Sequence, residues 1–219
     1  MQNYCDIASW YYYNFCMEKY DIELSCECGK FSGAIKQSKA ASGNHLVCAC
    51  DDCKSFLYWL KKDNSLYSLH EGAELYQTTP SSFQIKSGKE FLKLFRLSPK
   101  GLDRWYVNCC NSPIANCIGA KQNFIGFSTQ NFKFNSLMDK QLKIGEISAV
   151  CNSKIEDRKA DIPHYKKFPL SVGFKVAKFL LSGKIKTQLC RNPLYEEGEP
   201  IGETILIDFE SRKEILQNI

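Results

Sequence analysis

The chain has 219 residues, a hydrophobic content of 44% with 13% aromatics, and a formal net charge of +5. That length can bury a substantial core, and that composition excludes intrinsic disorder. So small a charge excess gives no support by itself to nucleic-acid or membrane binding, and the sequence has no run of about 18 apolar residues that would span a bilayer.

Residues 1–21 are rich in Tyr, Phe and Trp without a clear period, so strand and short helix both remain open. They lack the basic start, apolar stretch and cleavage site of a secretory leader. The expectation is therefore a reducing, cytoplasmic setting, in which clustered cysteines serve metals more often than disulfides.

From residue 22 to 127 the pattern is short apolar runs between turn residues: IELSC, GKFSGAI, HLVCAC, ELYQTTP, SSFQIK, FLKLFRL, WYVNC and IANCIGA. Alternation at Phe83-Gln84-Ile85 and along Leu92 to Leu97 predicts many short antiparallel strands. The segment CDDCKSFLYWLKK predicts one or two helical turns capped by Asp51 or Asp52. Residues 135–150 read as a short helix or a connecting loop.

Between Lys154 and Arg191 ten Lys/Arg face three Asp/Glu. Inside this basic stretch a helix is expected from a Ser171 cap to about Leu181, with Gly183 ending it. Val172, Val176, Phe179 and Leu180 share one face, with Lys175 and Lys178 off it. The stripe predicts a helix folded onto the β core with its lysines in solvent; a partner or membrane surface is the alternative.

Twelve cysteines are the chemical signal. Cys26-Glu-Cys28-Gly29, Cys48-Ala-Cys50-Asp-Asp-Cys53 and Cys109-Cys110-Asn-Ser-Pro113 are spaced too tightly for disulfides between distant strands, and close pairs on tight turns supply neighbouring corners of a Zn²⁺ tetrahedron. Gly29 permits the sharp turn after the first pair. Candidate ligands are thus Cys26, Cys28, Cys48, Cys50, Cys53, Cys109 and Cys110. Three cysteines from one segment leave a corner free for water or a substrate thiolate, as a catalytic zinc requires. The scattered Cys5, Cys16, Cys117, Cys151 and Cys190 read as small apolar side chains. His45 is expected at an exposed turn, with proton shuttle or replacement ligand as its other readings; His70 and His164 have no cluster around them in sequence. Trp105 and Tyr106 are expected in the core.

At CxCGxxxG (Cys26 to Gly33), CxCxxC (Cys48 to Cys53) and Cys-x-Ser-Pro (Cys110 to Pro113), the chain resembles the glutathione-dependent formaldehyde-activating enzyme and centromere protein V family. The CxCDDC cluster, Leu97-Ser-Pro-Lys-Gly101 and Trp105-Tyr106 leading into Cys-Cys-Asn-Ser-Pro-Ile look like a distinct branch of it. The resemblance spans roughly residues 22–127. It implies a mainly β fold, a β-tent of short antiparallel sheets around zinc, to which the basic stretch would add a short α-helical C-terminal extension. The corresponding division is an N-terminal segment 1–21, a zinc-binding β-tent domain 22–145 and a basic extension 146–219.

The resemblance further implies that Cys26 and Cys28 join the late cysteines around a structural zinc. Cys48, Cys50 and Cys53 would hold a second zinc associated with activity. The implied reaction is carbon–sulfur lyase chemistry on a thiol–aldehyde adduct, with glutathione or another small thiol as partner. Arg96, Lys100 and Arg104 are candidates to meet glutathione's carboxylates, against the alternative of ordinary strand and loop charge. One position departs from the family pattern: Val107 stands where a cysteine ligand is expected, and Cys109 adjoins Cys110 instead. Side chains of adjacent residues point apart in extended backbone. Two assignments stay open, both late cysteines at the structural zinc, or Cys110 there and Cys109 closing the second site. In the second case the second zinc has four thiolates and loses its open position; a non-catalytic, zinc-stabilised binding module, favoured by the Cys109-Cys110 pair and the basic C-terminal segment, is the alternative function.

Overall fold

The computed structural model describes residues 20–61, 67–185 and 192–219. The aromatic-rich segment 1–19 lies outside the described residues, as do Cys5, Cys16 and Cys190.

The architecture is mainly β. A four-stranded antiparallel sheet has the order β10-β1-β2-β5, formed by Phe132–Lys133, Ile22–Ser25, Ser32–Ile35 and Phe83–Ser87. A nine-stranded sheet has the order β12-β11-β3-β4-β9-β8-β7-β6-β15. Its members are β3 (Asn44–Cys48), β4 (Ala73–Thr78), β6 (Leu92–Arg96), β7 (Asp103–Val107), β8 (Ser112–Cys117), β9 (Ile125–Ser128), β11 (Val150–Cys151), β12 (His164–Tyr165) and β15 (Thr204–Leu206). A separate two-stranded hairpin pairs β13 (Tyr195–Glu196) with β14 (Glu199–Pro200). Each of the eight apolar runs read from the sequence overlaps one of the strands β1 to β8. Every pair formed among these strands is antiparallel, as expected; parallel pairing enters only with later segments at the two ends of the large sheet, where β11 runs parallel to β3 and β12, and β15 runs parallel to β6. Segments beyond residue 146 thus supply three strands of this sheet.

Period-two alternation explains how the large sheet becomes a middle layer. Tyr76, Leu94, Trp105 and Phe127 point to one face, where they pack with Ile22, Leu24, Ile35 and Phe83 of the small sheet. Their neighbours Leu75, Phe95 and Tyr106 point the other way. That second face is covered by α1 (Asp51–Lys61), whose Cys53, Phe56, Leu57 and Leu60 recur at helical spacing and are all buried. Trp59 of α1 lies 4.3 Å from the Phe95 ring and meets Tyr106 edge-on at 5.4 Å. Burying each large apolar side chain contributes roughly 1.5–3 kcal/mol, which sustains three turns of helix where the sequence suggested one or two.

Three further helices follow: α2 (Leu137–Ile144), α3 (Leu170–Ile185) and α4 (Phe209–Gln217). Ser136 caps α2, its side chain accepting from the Asp139 N–H. In α3, Val172 is buried, Val176, Phe179 and Leu180 are half-buried, and Lys175 and Lys178 are exposed, as the stripe predicts. This helix begins one residue before the expected Ser171 cap and runs past Gly183. Among the described residues no helix is long and apolar enough to cross a membrane.

Candidate metal centre

The first cysteine group is assembled from two turns. Cys26 and Cys28 sit in the β1–β2 turn, where Gly29 adopts a left-handed φ of 77° and donates its N–H to the Cys26 carbonyl at 3.0 Å. The Phe31 N–H donates to Cys26 Sγ at 3.3 Å. Cys109 and Cys110 sit in the β7–β8 turn, brought against the first pair because Glu27 N–H donates to Ser112 Oγ at 3.0 Å. The expectation that adjacent cysteines diverge assumed an extended chain. Here the pair lies in a turn closed by Asn111 at φ 56°, and both sulfurs face the same point. Of the two assignments left open by the sequence, the structure places Cys109 with Cys26, Cys28 and Cys110.

Sulfur separations test the fit to an ion. They are 3.6 Å for Cys26–Cys28, 3.4 Å for Cys28–Cys109, and 3.9 Å for both Cys26–Cys109 and Cys109–Cys110. A disulfide needs about 2.05 Å, whereas a regular tetrahedron with Zn–S near ~2.3 Å has edges of about 3.8 Å. The donors fit a tetrahedral thiophilic ion. Ser112 Oγ also lies 3.1 Å from Cys110 Sγ. Burial pushes the Cys110 thiol up, but the Ser112 hydroxyl and the neighbouring thiol donors outweigh it and hold it down to about 6. Cys109 is pushed up, by burial first and then by the thiols around it.

The second group comes from one segment. Cys48 ends β3, Cys50 precedes α1, and Cys53 lies in the helix's first turn. All three sulfurs lie within 4.8 Å of one another, with Cys48 and Cys50 at 3.4 Å. The predicted Asp51 or Asp52 cap is not the one formed: Cys50 takes that place, its sulfur accepting the Cys53 N–H at 3.4 Å. Gly72 packs under this turn, where a Cβ would meet the Cys48 carbonyl oxygen at 2.6 Å. Hydrogen bonds from Cys50 and Cys53 hold the Cys48 thiol down to about 3, helped by Asn152 Nδ2, which donates to its sulfur at 3.5 Å. Cys53 is driven up by the same neighbours and by full burial. Three crowded thiols thus oppose one another's ionisation, an opposition that a bound cation would relieve. Among the described residues no fourth Cys, His, Asp or Glu completes this group.

Other sequence candidates fall elsewhere. Arg104 is 1% exposed and pairs with Asp52 at 3.4 Å, while Arg96 Nε donates to Asp103 at 2.5 Å. The buried Arg104 guanidinium is thereby kept from a ligand's carboxylates, whereas Arg96 commits only its Nε to Asp103 and its side chain is 31% exposed, and Lys100 is exposed on its loop. His45 is no exposed turn residue. It is buried in β3, with Nδ1 2.8 Å from the Gly145 carbonyl and Nε2 2.9 Å from Glu74 Oε1. Trp105, Tyr106, Cys117 and Cys151 are buried as expected. His70 and His164, unconnected in sequence, meet edge-to-face at 5.9 Å because β12 adds to the sheet beside β11.

The molecule is thus a layered, mainly β scaffold carrying two cysteine groups, each able to hold a metal ion. The chain belongs to the Family of unknown function DUF6151, whose model matches residues 17–205. Among solved structures, it is similar to the crystal structure of a Rhodobacter sphaeroides protein determined as a structural genomics target. That likeness has 14% identity and a TM-score of 0.39, covering 57% of this chain and 96% of that one. No curated protein matches the chain.

Proposed function

We propose that the protein is a zinc-thiolate β-tent related to the formaldehyde-activating and centromere protein V proteins, with a closed structural zinc and a second, open zinc that handles a thiol–aldehyde adduct. The observation that carries this reading is the partition of seven thiols into four and three. Four thiolates saturate a tetrahedral ion, and three leave a corner. Zinc in the second group would supply a Lewis-acid corner that accepts a thiol sulfur as thiolate.

The chain's own residues prepare that corner. The Cys53 N–H and the Asn152 amide each spend a hydrogen bond on a ligand sulfur, which orients it and tempers its negative charge. Position at the N-terminus of α1 adds the helix's partial positive charge, favouring thiolates over thiols. The substrate class is a small thiol, such as glutathione, with formaldehyde or a related aldehyde. The reaction is formation or cleavage of the carbon–sulfur bond of the adduct.

The test combines metal content with adduct exchange. Protein purified under reducing conditions is expected to carry one zinc at each group, and Cys50→Ser to lose one of them. The zinc-loaded protein is expected to accelerate exchange between glutathione and formaldehyde, and Cys50→Ser to abolish the acceleration. A rate equal to the protein-free rate across several thiols and aldehydes rejects the enzymatic reading. Cobalt spectra typical of four thiolates at both groups, unaltered by added thiol, would assign a non-catalytic, zinc-stabilised binding module instead.

A further inference from the structure

Beside the second cysteine group lies a cavity of about 250 Å³. Ala49, between Cys48 and Cys50, forms part of its wall, as does Lys54, which follows Cys53. Ser153, next to the Asn152 that bonds Cys48 Sγ, lines it from the other side. The remaining polar wall is His70, Glu71, Lys154 and His164.

Lys54 is the informative residue. It is 6% exposed, and its ammonium lies 5.8 Å over the Tyr67 ring. Among the described residues no hydrogen bond or ion pair engages that ammonium. The ammonium is not itself fully enclosed, but a cation with so little water and no anion is under-compensated, and a tyrosine face offsets only part of that cost. The cavity in front of it is where the missing anion fits. Lys54 and Lys154 against Glu71 leave one net positive charge among the lysine and carboxylate groups of the wall. That matches a singly charged carboxylate better than a doubly charged phosphate. Ser153 Oγ, 3.3 Å from His164 Nδ1, offers a hydroxyl, and the two imidazoles add further polar edges.

We propose that this cavity is a carboxylate subsite, which receives the acid group of a small thiol whose sulfur sits at the second cysteine group. The sulfur half rests on the open-corner reading above; the anion half stands on the cavity and Lys54 alone. The subsite would make the protein selective for carboxylated thiols over neutral ones of the same size.

Calorimetric titration of the zinc-loaded full chain with mercaptoacetate, 2-mercaptoethanol and acetate tests it, with metal content measured before and after. Mercaptoacetate is expected to bind about tenfold more tightly than 2-mercaptoethanol, the usual worth of a charge-assisted hydrogen bond. Lys54→Gln should reduce that ratio to near one and leave 2-mercaptoethanol binding unchanged. Should Lys54→Gln fold poorly, the exposed Lys154→Glu should shrink the ratio in the same direction. Lys54-dependent acetate binding without binding of either thiol would uphold the anion site and remove the open corner. Equal affinities for the two thiols overturn the subsite. So does a Lys54→Gln variant that sheds zinc while keeping the preference, because the lysine then only neutralises the thiolates.

Discussion

Ser112 is 3% exposed, accepts the Glu27 N–H, and lies 3.1 Å from Cys110 Sγ, so one small hydroxyl joins both turns of the first cysteine group. Ser112→Ala leaves a backbone donor and a ligand sulfur without their partner. We expect it to cost about 1–2 kcal/mol of stability and to weaken metal binding at the first group by roughly 10-fold or more. Titration with a chromophoric chelator should show the second group's affinity unchanged; equal loss at both groups would mean that the two are not separate. At this scale the sequence was informative wherever ligands are local. Cys26-x-Cys28 and Cys48-x-Cys50-x-x-Cys53 declare themselves by spacing alone. Cys109 and Cys110 do not, because the direction of adjacent side chains depends on whether the backbone is extended or turned, and Asn111 in the left-handed region decides that. Lys54 is equally illegible, since nothing in a polar residue's identity says that its place on α1 will be enclosed.

The helix α1 joins these local facts to the sheet. Its acidic first turn suits the positive helix end, and Asp52 has a second task there. It accepts from Arg104 of β7 at 3.4 Å and from Arg212 of α4 at 3.0 Å, so one carboxylate ties helix, sheet and C-terminal helix together. Asp52→Asn removes the charge facing a buried guanidinium. Discounted for the 44% exposure of the Asp52 side chain, the expected loss is about 2 kcal/mol, measurable by urea unfolding. Arg212→Ala, at the exposed end of the same pair, should cost less. Strands β3 and β4 meet at a second polar junction, His45 with Glu74. Burial pushes the Glu74 carboxyl up, but the His45 hydrogen bond and the Lys140 ammonium outweigh it and hold it down to about 2, against an ordinary 4.5. The folded state thus favours the carboxylate. Its contribution, up to about 3 kcal/mol, is present above pH 4.5 and lost as pH falls towards 2. Wild type should exceed Glu74→Gln in stability by a gap that is widest above pH 4.5 and closes across that window; a gap independent of pH would refute the assignment. The strands were legible as short apolar runs between turn residues, because burial on both faces erases most of the alternation, which survives where one face is wet, as in β5. The two-residue β11 and β12 and the three-residue β15 were not, because so few residues carry no period and their parallel pairing is made by distant chain.

Across the whole molecule α1 spans from one cysteine group to the other. It begins at Cys50 and Cys53, and its last residue, Lys61, donates to the Cys110 carbonyl at 3.1 Å and pairs with Glu27 at 2.8 Å. At 1.5 Å per residue the groups sit about 15 Å apart along the helix, too far for one ion to serve both. They also differ in what they hold together. Cys28 and Cys109 are 81 residues apart, and their turns belong to different sheets, so an ion there staples the two layers. By the chain-entropy argument, closing so long a loop is worth about 4 kcal/mol. Cys48, Cys50 and Cys53 close a loop of a few residues, worth about 2 kcal/mol, next to a helix already anchored by Phe56, Leu57 and Leu60. A strong chelator should therefore act in two phases. On the open-corner proposal the first ion to leave comes from the three-thiol group, although its cysteines are the more buried set, because a free coordination position admits the attacking ligand, and the far-ultraviolet dichroism should hardly change. The second leaves slowly and takes the sheet packing with it, because the closed tetrahedron must open before the chelator can reach the metal. Cys53→Ser should show only the slow phase, and Cys28→Ser should lower the unfolding midpoint even before chelator is added. A single phase, with both ions lost together as the fold melts, would contradict the division into one stapling site and one site with a free corner.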